Sequence, residues 1–532
     1  MTRLYALALT AALAVPALAP SAGAQTDPEL DADVSRLDPG GTPGTFGWSI
    51  AVDGDLAVVG ARGASEAYVF LRADGEWMLE QKLVGDQANS AFGTSVAIEG
   101  DRLVVGALGQ RYGSTSIPGG AAHVYVRSSA DTGGPRWSRE EIIPVPGEIT
   151  DGQRRFGVAV AISDGRVFVG DINAIVGTGA NGAQQRRSGS VFVYARTGAA
   201  GRSASGRLWS LTGTISLGEF AADGDEFGAA VSADGQYVLV GAPGRPAFVT
   251  LRRPGGSAPG QALIYVDNTL SGDGVWNLEA TLSGSTASDG DRFGEAVALD
   301  IGPNAATAVV GAPQDDGDET DQGSITVFAG LEGAWTEQAV LRADAVEFGY
   351  LGAEVDIDGT RVVGGGLASD AGFGATASVF DKLDDGWTYR GALVEPQIVV
   401  ARASAGSYPL GGVAVGPDVV LLGLRESGRV YAFGNVRPVG SEGGPVAGLA
   451  LGAPSPNPAT SRAAVTLTVE TPQTVRVTLV DALGRRVRTL WDGPAAGALH
   501  LGVEAGGLAP GVYAVRVEGG AARAVRRLTV VR

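Results

Sequence analysis

Cysteine is absent from the 532 residues. Its absence excludes disulfides, thiol nucleophiles, Cys-ligated metals and a lipidated N-terminal cysteine. Histidine occurs twice, at His123 and His500, so one chain can form neither a multi-histidine zinc site nor a pair of catalytic histidines. His123 lies in the strand-like stretch Ala-Ala-His-Val-Tyr and reads as structural. Lysine occurs only at Lys82 and Lys382, so arginine supplies nearly all positive charge. Beyond residue 24 no stretch approaches the ~20 apolar residues that span a bilayer, and the mature chain is expected to have no transmembrane helix.

Positive charge is also scarce where most of the chain lies. Residues 25–451 hold 29 basic and 53 acidic side chains, a net of −24, whereas residues 452–532 hold ten Arg and five acidic residues. An acidic body lacks the basic footprint that nucleic acid requires. It favours solubility or cation binding.

What is present is glycine, 83 residues of it, in a chain that is 44% hydrophobic. This composition suits short strands joined by tight turns. Residues 1–24 read as a secretory signal peptide: Arg3, an apolar run from Leu4 to Ala19, and the small-residue cleavage site Ala22-Gly23-Ala24.

A repeat then governs the chain. Phe92-Gly-Thr-Ser-Val-Ala-Ile-Glu-Gly-Asp-Arg-Leu-Val-Val-Gly-Ala is its clearest copy, and a close one starts at Phe46. Further copies start at Phe156, Phe227 and Phe293, with degenerate ones near Leu351 and Leu410. Each carries four strand signals. A Phe-Gly strand with alternating apolar residues runs into a Gly-Asp or Asp-Gly turn. A Val-Val-Gly-Ala strand follows, then a third such as Ala67-Tyr-Val-Phe, then a fourth opened by Trp. Trp77, Trp137, Trp209, Trp276, Trp335 and Trp387 hold that place, six of the eight Trp in the chain, which marks a packing role. Four antiparallel strands repeated seven times predict a seven-bladed β-propeller over residues 25–434. The last repeat lacks Trp and a fourth strand, while residues 29–37 precede the first Phe-Gly. Those residues are predicted to close the last blade and remove its open edge.

Phe227…Gly241-Ala-Pro and Phe293…Gly311-Ala-Pro resemble the FG-GAP repeat of integrin α-subunit propellers, and more closely its bacterial branch. The resemblance implies a propeller used in adhesion or extracellular recognition, without enzymatic activity. The calcium loop of the integrin branch lies between strands one and two. Here those connections, such as Val52-Asp-Gly-Asp, are too short to encircle an ion. A weaker calcium candidate is Asp315, Asp316, Asp318 and Asp321, set against a solvated acidic loop.

Loop length locates the candidate recognition surface. The 1–2 and 3–4 turns share one face of the disc and are tight. The 2–3 and 4–1 connections share the other and are long and varied, and binding residues commonly sit on such loops. Arg111, Tyr112, Arg154, Arg155, Arg186, Arg187 and Tyr350 are the candidates there, with a carboxylate or sulfate as a fitting group.

Residues 435–452 read as a Gly/Pro/Ser-rich linker. Residues 453–532 then read as a small Ig-like β-sandwich, so the fold class is all-β throughout. Pro456-Asn457-Pro458, Asp481-Ala-Leu-Gly484-Arg-Arg-Val, Gly511-Val-Tyr513 and a basic terminal strand follow in order. This order resembles the C-terminal sorting domain of the type IX secretion system. The resemblance implies that system as partner and export to the cell surface or the medium.

Three readings of function stand at this stage. The leading one is a non-enzymatic surface recognition protein for an extracellular glycan or protein. The others are an extracellular polysaccharide hydrolase or lyase, and a structural envelope or matrix component.

Overall fold

Each repeat folds as its pattern dictates: alternating apolar residues make a strand, and a Gly-containing turn reverses it. A computed structural model describes residues 30–530, apart from 42–43, 74, 112–116, 129–135, 148–152, 178–185, 197–206, 245–258, 268–274, 303–305, 332–333, 344–347, 369–373, 384–385, 395–409, 426, 439–448, 453–454, 456–458, 482–485, 509–510 and 520–521. The leader, Tyr112, the Pro456-Asn457-Pro458 segment, Gly484 and most of the 435–452 linker lie outside the described residues.

Among the described residues the repeats form seven four-stranded antiparallel sheets. The inner strands are Phe46–Asp53, Phe92–Glu99, Val160–Ser163, Val231–Asp234, Val297–Ile301, Glu354–Asp358 and Leu410–Gly416. Each touches the next, and the last touches the first, so the sheets ring a common axis as a β-propeller. In the last sheet three strands come from the end of the repeat region. The fourth and outermost is Leu30–Leu37, antiparallel to Arg429–Pro438 from Leu30↔Pro438 to Leu37↔Val430.

The Phe-Gly and Gly-Ala signatures have one physical cause. A Cβ on Gly60, Gly106, Gly170, Gly241, Gly311 or Gly423 would lie 2.0–2.2 Å from the carbonyl oxygen of the Phe-Gly or Leu-Gly glycine in the following sheet. Those partner glycines, at 47, 93, 157, 228, 294 and 352, have φ between +87° and +93°. Neighbouring sheets therefore approach backbone to backbone at their inner corners, which only glycine permits on both sides. The phenylalanines fill the space beside these contacts. Phe46, Phe92, Phe156 and Phe227 each meet a third-strand tyrosine edge-on, at 5.3 Å for Tyr68, 6.4 Å for Tyr125 and Tyr194, and 6.0 Å for Tyr265.

The tight-turn face is laced from sheet to sheet. Asp53 accepts the Gly100 N–H at 2.6 Å, and Glu99 accepts the Asp164 N–H at 3.0 Å. Ser163 accepts from Gly235 at 3.0 Å, Asp234 from Ile301 at 2.7 Å, and Asp300 from Gly359 at 3.0 Å. Asp356 accepts from Val415 at 2.7 Å. Many of the inner-turn carboxylates thus satisfy backbone donors of the adjacent sheet.

A second lacing runs round the rim and follows a Trp-x-x-Glu spacing. Trp137 donates its indole N–H to Glu80 (2.8 Å), Trp209 to Glu140 (3.1 Å) and Trp335 to Glu279 (3.0 Å). Each glutamate lies three residues after the tryptophan of the preceding sheet. Where that position is Thr212 or Gln338, the indole N–H of Trp276 or Trp387 has no hydrogen-bond partner. Thr212→Glu is accordingly expected to stabilise the protein by about 1 kcal/mol, one buried hydrogen bond's net worth, read as a shifted midpoint in urea. An unchanged midpoint would show that the spacing does not set the bond.

The C-terminal region is one continuous sheet in the order Leu449–Leu451, Arg462–Asp481, Gly511–Gly519, Ala522–Val530, with Arg486–Glu504 also paired to Arg462–Asp481. The register shifts between Val469 and Gln473, midway along the long strand. Ala463, Val465 and Leu467 before the shift, and Val475, Val477 and Leu479 after it, share one core with Val515, Val517 and Leu528. The sheet curls round that core, and its two halves serve as the two layers of a small sandwich. Asp481 pairs in register with Tyr513, and Tyr513 with Leu528, which places two of the sorting-motif residues on neighbouring strands. Gly511 opens the strand that carries Tyr513.

Candidate functional site

The connecting-loop face is built from the segments between second and third strands and between fourth and first. The structure distributes the candidate residues unevenly over it. Arg154 pairs with buried Asp171, and the Arg155 backbone N–H donates to the same carboxylate at 2.8 Å. Arg154 is thereby neutralised, while the Arg155 side chain remains exposed. Arg186 and Arg187 pair with Ile175–Val176 in a two-stranded ribbon, held by Arg186 donating to the Ala221 carbonyl and by the Arg187 N–H on Asp223 at 2.7 Å. Arg111 is exposed and bridges to Pro118, tied by its backbone to Gln87 of the preceding connection. Tyr350 is only 3% exposed and packs beside Phe348, so its ring belongs to the core of the sixth sheet rather than to the surface.

The four aspartates of the calcium candidate do not converge. Asp315 is buried and accepts from Arg342 at 2.6 Å and from the Thr286 hydroxyl at 3.2 Å. Asp316 accepts the Asp321 N–H at 3.0 Å, and the Asp318 N–H donates to Gln322, also at 3.0 Å. Among the described residues, no group of three or more His, Asp or Glu is arranged to hold a metal ion.

The structure does assemble one charged cluster, at the inner edge of this face. Trp48 stands at the start of the first inner strand. Arg62, directly after the second strand of the same sheet, lies 4.4 Å from its ring centroid. Arg425, at the matching position of the seventh sheet, lies 3.8 Å from it. The two guanidiniums thus share one indole across the junction where the ring closes. Arg155 stands near enough that, after burial, its charge is the second force holding the Arg62 pKa below the usual arginine range. At the start of the inner strand of the adjacent sixth sheet, burial raises Glu354 to about 7, opposed by Arg425 and assisted by Glu295. Asp356 is raised to about 7 by burial, although it accepts two backbone N–H bonds.

Sequence reasoning missed Trp48, Arg62 and Arg425. Two signals point to them. Trp48 is one of only two tryptophans outside the fourth-strand position. Arg62 and Arg425 stand where the fuller repeats place Pro243 and Pro313, after Gly-Ala.

Comparison with known proteins agrees with these features. The model of the FG-GAP repeat family matches residues 40–70, 77–125 and 276–328. The secretion system C-terminal sorting domain matches residues 455–531, which implies the type IX secretion machinery as export partner. No curated protein matches the chain at a significant level. Among solved structures, a protein of Bacteroides fragilis provisionally described as a 6-phosphogluconolactonase is 11% identical, with a TM-score of 0.40 over 65% of this chain and 84% of its own. Among the described residues no helix is long and apolar enough to cross a membrane. The chain is an all-β protein that carries FG-GAP repeats and a C-terminal sorting domain, and it is secreted or held at the outer face of the outer membrane.

Proposed function

We propose that the propeller is a non-enzymatic recognition module that binds an extracellular glycan or protein through its connecting-loop face. The observation that carries this reading is the difference between the two faces. One is closed by tight turns laced from sheet to sheet by carboxylates. The other carries the longer connections and the arginines that those lacings leave outward. Binding surfaces are commonly built as variable loops on such a rigid frame. The propeller's one histidine supports the non-enzymatic part: His123 is buried, with neither ring nitrogen hydrogen-bonded, and is not placed to exchange protons with a substrate. Asp356, one of two acids with a near-neutral pKa, is occupied by backbone donors of two sheets.

The test is saturable binding of the purified mature chain to arrays of glycans and matrix proteins, alongside assays for polysaccharide cleavage. Saturable binding without turnover is the expected result. Turnover of a polysaccharide would replace this reading with an enzymatic one, and an array with no saturable ligand would favour a structural role in the envelope.

A further inference from the structure

The seventh sheet fixes where the chain leaves the propeller. Its second and third strands, Val419–Leu424 and Arg429–Pro438, are joined by a connection on the connecting-loop face. Arg429 pairs with Leu424 at that end, and Gly434 pairs with Val419 at the tight-turn end. The third strand therefore runs toward the tight-turn face and continues past it to Pro438, which pairs with Leu30. The start of the closing strand and the exit toward the sorting domain thus lie together, beyond the tight-turn face.

Reach keeps the sorting domain on that side. Residues 439–448 separate Pro438 from Leu449–Leu451, the first strand of the C-terminal sheet. Fully extended, that interval spans at most about 38 Å. Returning along the strand from Pro438 to Arg429 takes about 30 Å at the rise of a β-strand. A sorting domain level with the connecting-loop face would use most of its reach in doubling back. Charge acts in the same direction. The tight turns expose Asp53, Asp55, Glu99, Asp101, Asp164 and Asp418, of which Asp101 meets Arg102 and Asp418 meets Arg72. Residues 452–532 hold ten Arg against five acidic residues, so the two surfaces attract.

We infer that the tight-turn face is the attachment side of the propeller: it faces the chain's own basic sorting domain and the membrane surface that holds it, while the connecting-loop face is presented outward. The inference stands on strand direction, reach and charge, independent of what the loops bind. It adds to the recognition reading the side from which a ligand arrives, and either can fail without the other.

Because the chain has no cysteine, introduced cysteines are its only thiol labelling sites. Nitroxides are placed on the full mature chain at Arg488→Cys with Asp55→Cys, or at Arg488→Cys with Arg111→Cys. All three side chains are exposed: Arg488 in the sorting domain, Asp55 on a tight turn and Arg111 on the connecting-loop face. Pulsed dipolar spectroscopy should give a mean distance ~10 Å or more shorter for the Asp55 pair, because a six-residue strand holds the two faces ~20 Å apart. Thermal melting unchanged from the parent shows that the labels report the folded chain. Equal distances, or a shorter one from Arg111, overturn the assignment. On cells that display the chain, a bulky maleimide should react several-fold more slowly with Asp55→Cys than in the purified protein, with Arg111→Cys unaffected. Equal slowing of both, or a chain found wholly in the medium, overturns the membrane-facing part.

Discussion

Deleting residues 25–38 should abolish cooperative folding of the propeller, or lower its melting temperature by more than 10 °C. The strand Leu30–Leu37 supplies the whole outer edge of the seventh sheet. Leu37 is fully buried, packed with Phe46, Val430 and Trp77, and losing it alone should cost about 2–5 kcal/mol as a core leucine. The deletion also strips the backbone partners from Arg429–Pro438 and leaves an open edge, a template for aggregation. Differential scanning calorimetry of the deleted chain measures the effect. A synthetic peptide of residues 29–38 added in trans should raise the transition again, by strand addition to that edge. A deleted chain that melts like the intact one would show that the ring holds without its closing strand.

The second large effect is on acid stability. His123 is fully buried, edge-on to Phe92 at 5.0 Å, with neither ring nitrogen hydrogen-bonded. Burial, with Arg139 nearby, depresses its pKa from 6.5 to about 4. The unfolded chain therefore binds a proton that the folded chain refuses between those values. Stability from this residue is intact above pH 6.5 and falls by about 3 kcal/mol as pH drops to 4. Glu354 and Asp356 act in the opposite sense. Their folded pKa is raised to about 7 by burial, so they favour the folded chain below pH 4 and lose that contribution as pH rises to 7. Chemical denaturation from pH 7 to pH 4 should show His123→Leu gaining relative stability on acidification. Asp356→Asn should instead be relatively more stable at pH 7. If His123→Leu and the parent chain run parallel across that range, the histidine is not buried neutral.

Much of the architecture was legible in the sequence because the repeat writes the same constraint many times. Phe-Gly and Gly-Ala recur because two backbones touch at each inner corner, and a side chain there has nowhere to go. The fourth-strand tryptophans recur because they close each sheet. The missing last strand was legible as an absence, a repeat without its tryptophan matched by a strand signal upstream. The candidate site was less legible because it is written once. Arg154 and Arg155 are adjacent in the chain, yet Asp171 neutralises one and leaves the other. Only the folded chain brings Asp171 beside them. Asp315 through Asp321 looked like a ligand run, but Asp315 turns inward to Arg342 from a different connection. Arg62 and Arg425 stand far apart in the sequence and meet over Trp48 only because the ring closes.

That closure also sets an order of assembly. Six of the sheets are hairpins of neighbouring strands, which can form as soon as their own residues are available. The seventh joins residues about 400 apart in the chain, the contact of greatest loop entropy in the molecule. It cannot form until residue 438 is present, ahead of the linker and of the sorting domain matched at residues 455–531. The ring can therefore be completed before the export signal has been made, and only a chain truncated at or before residue 438 loses both the signal and part of the seam that makes its propeller whole.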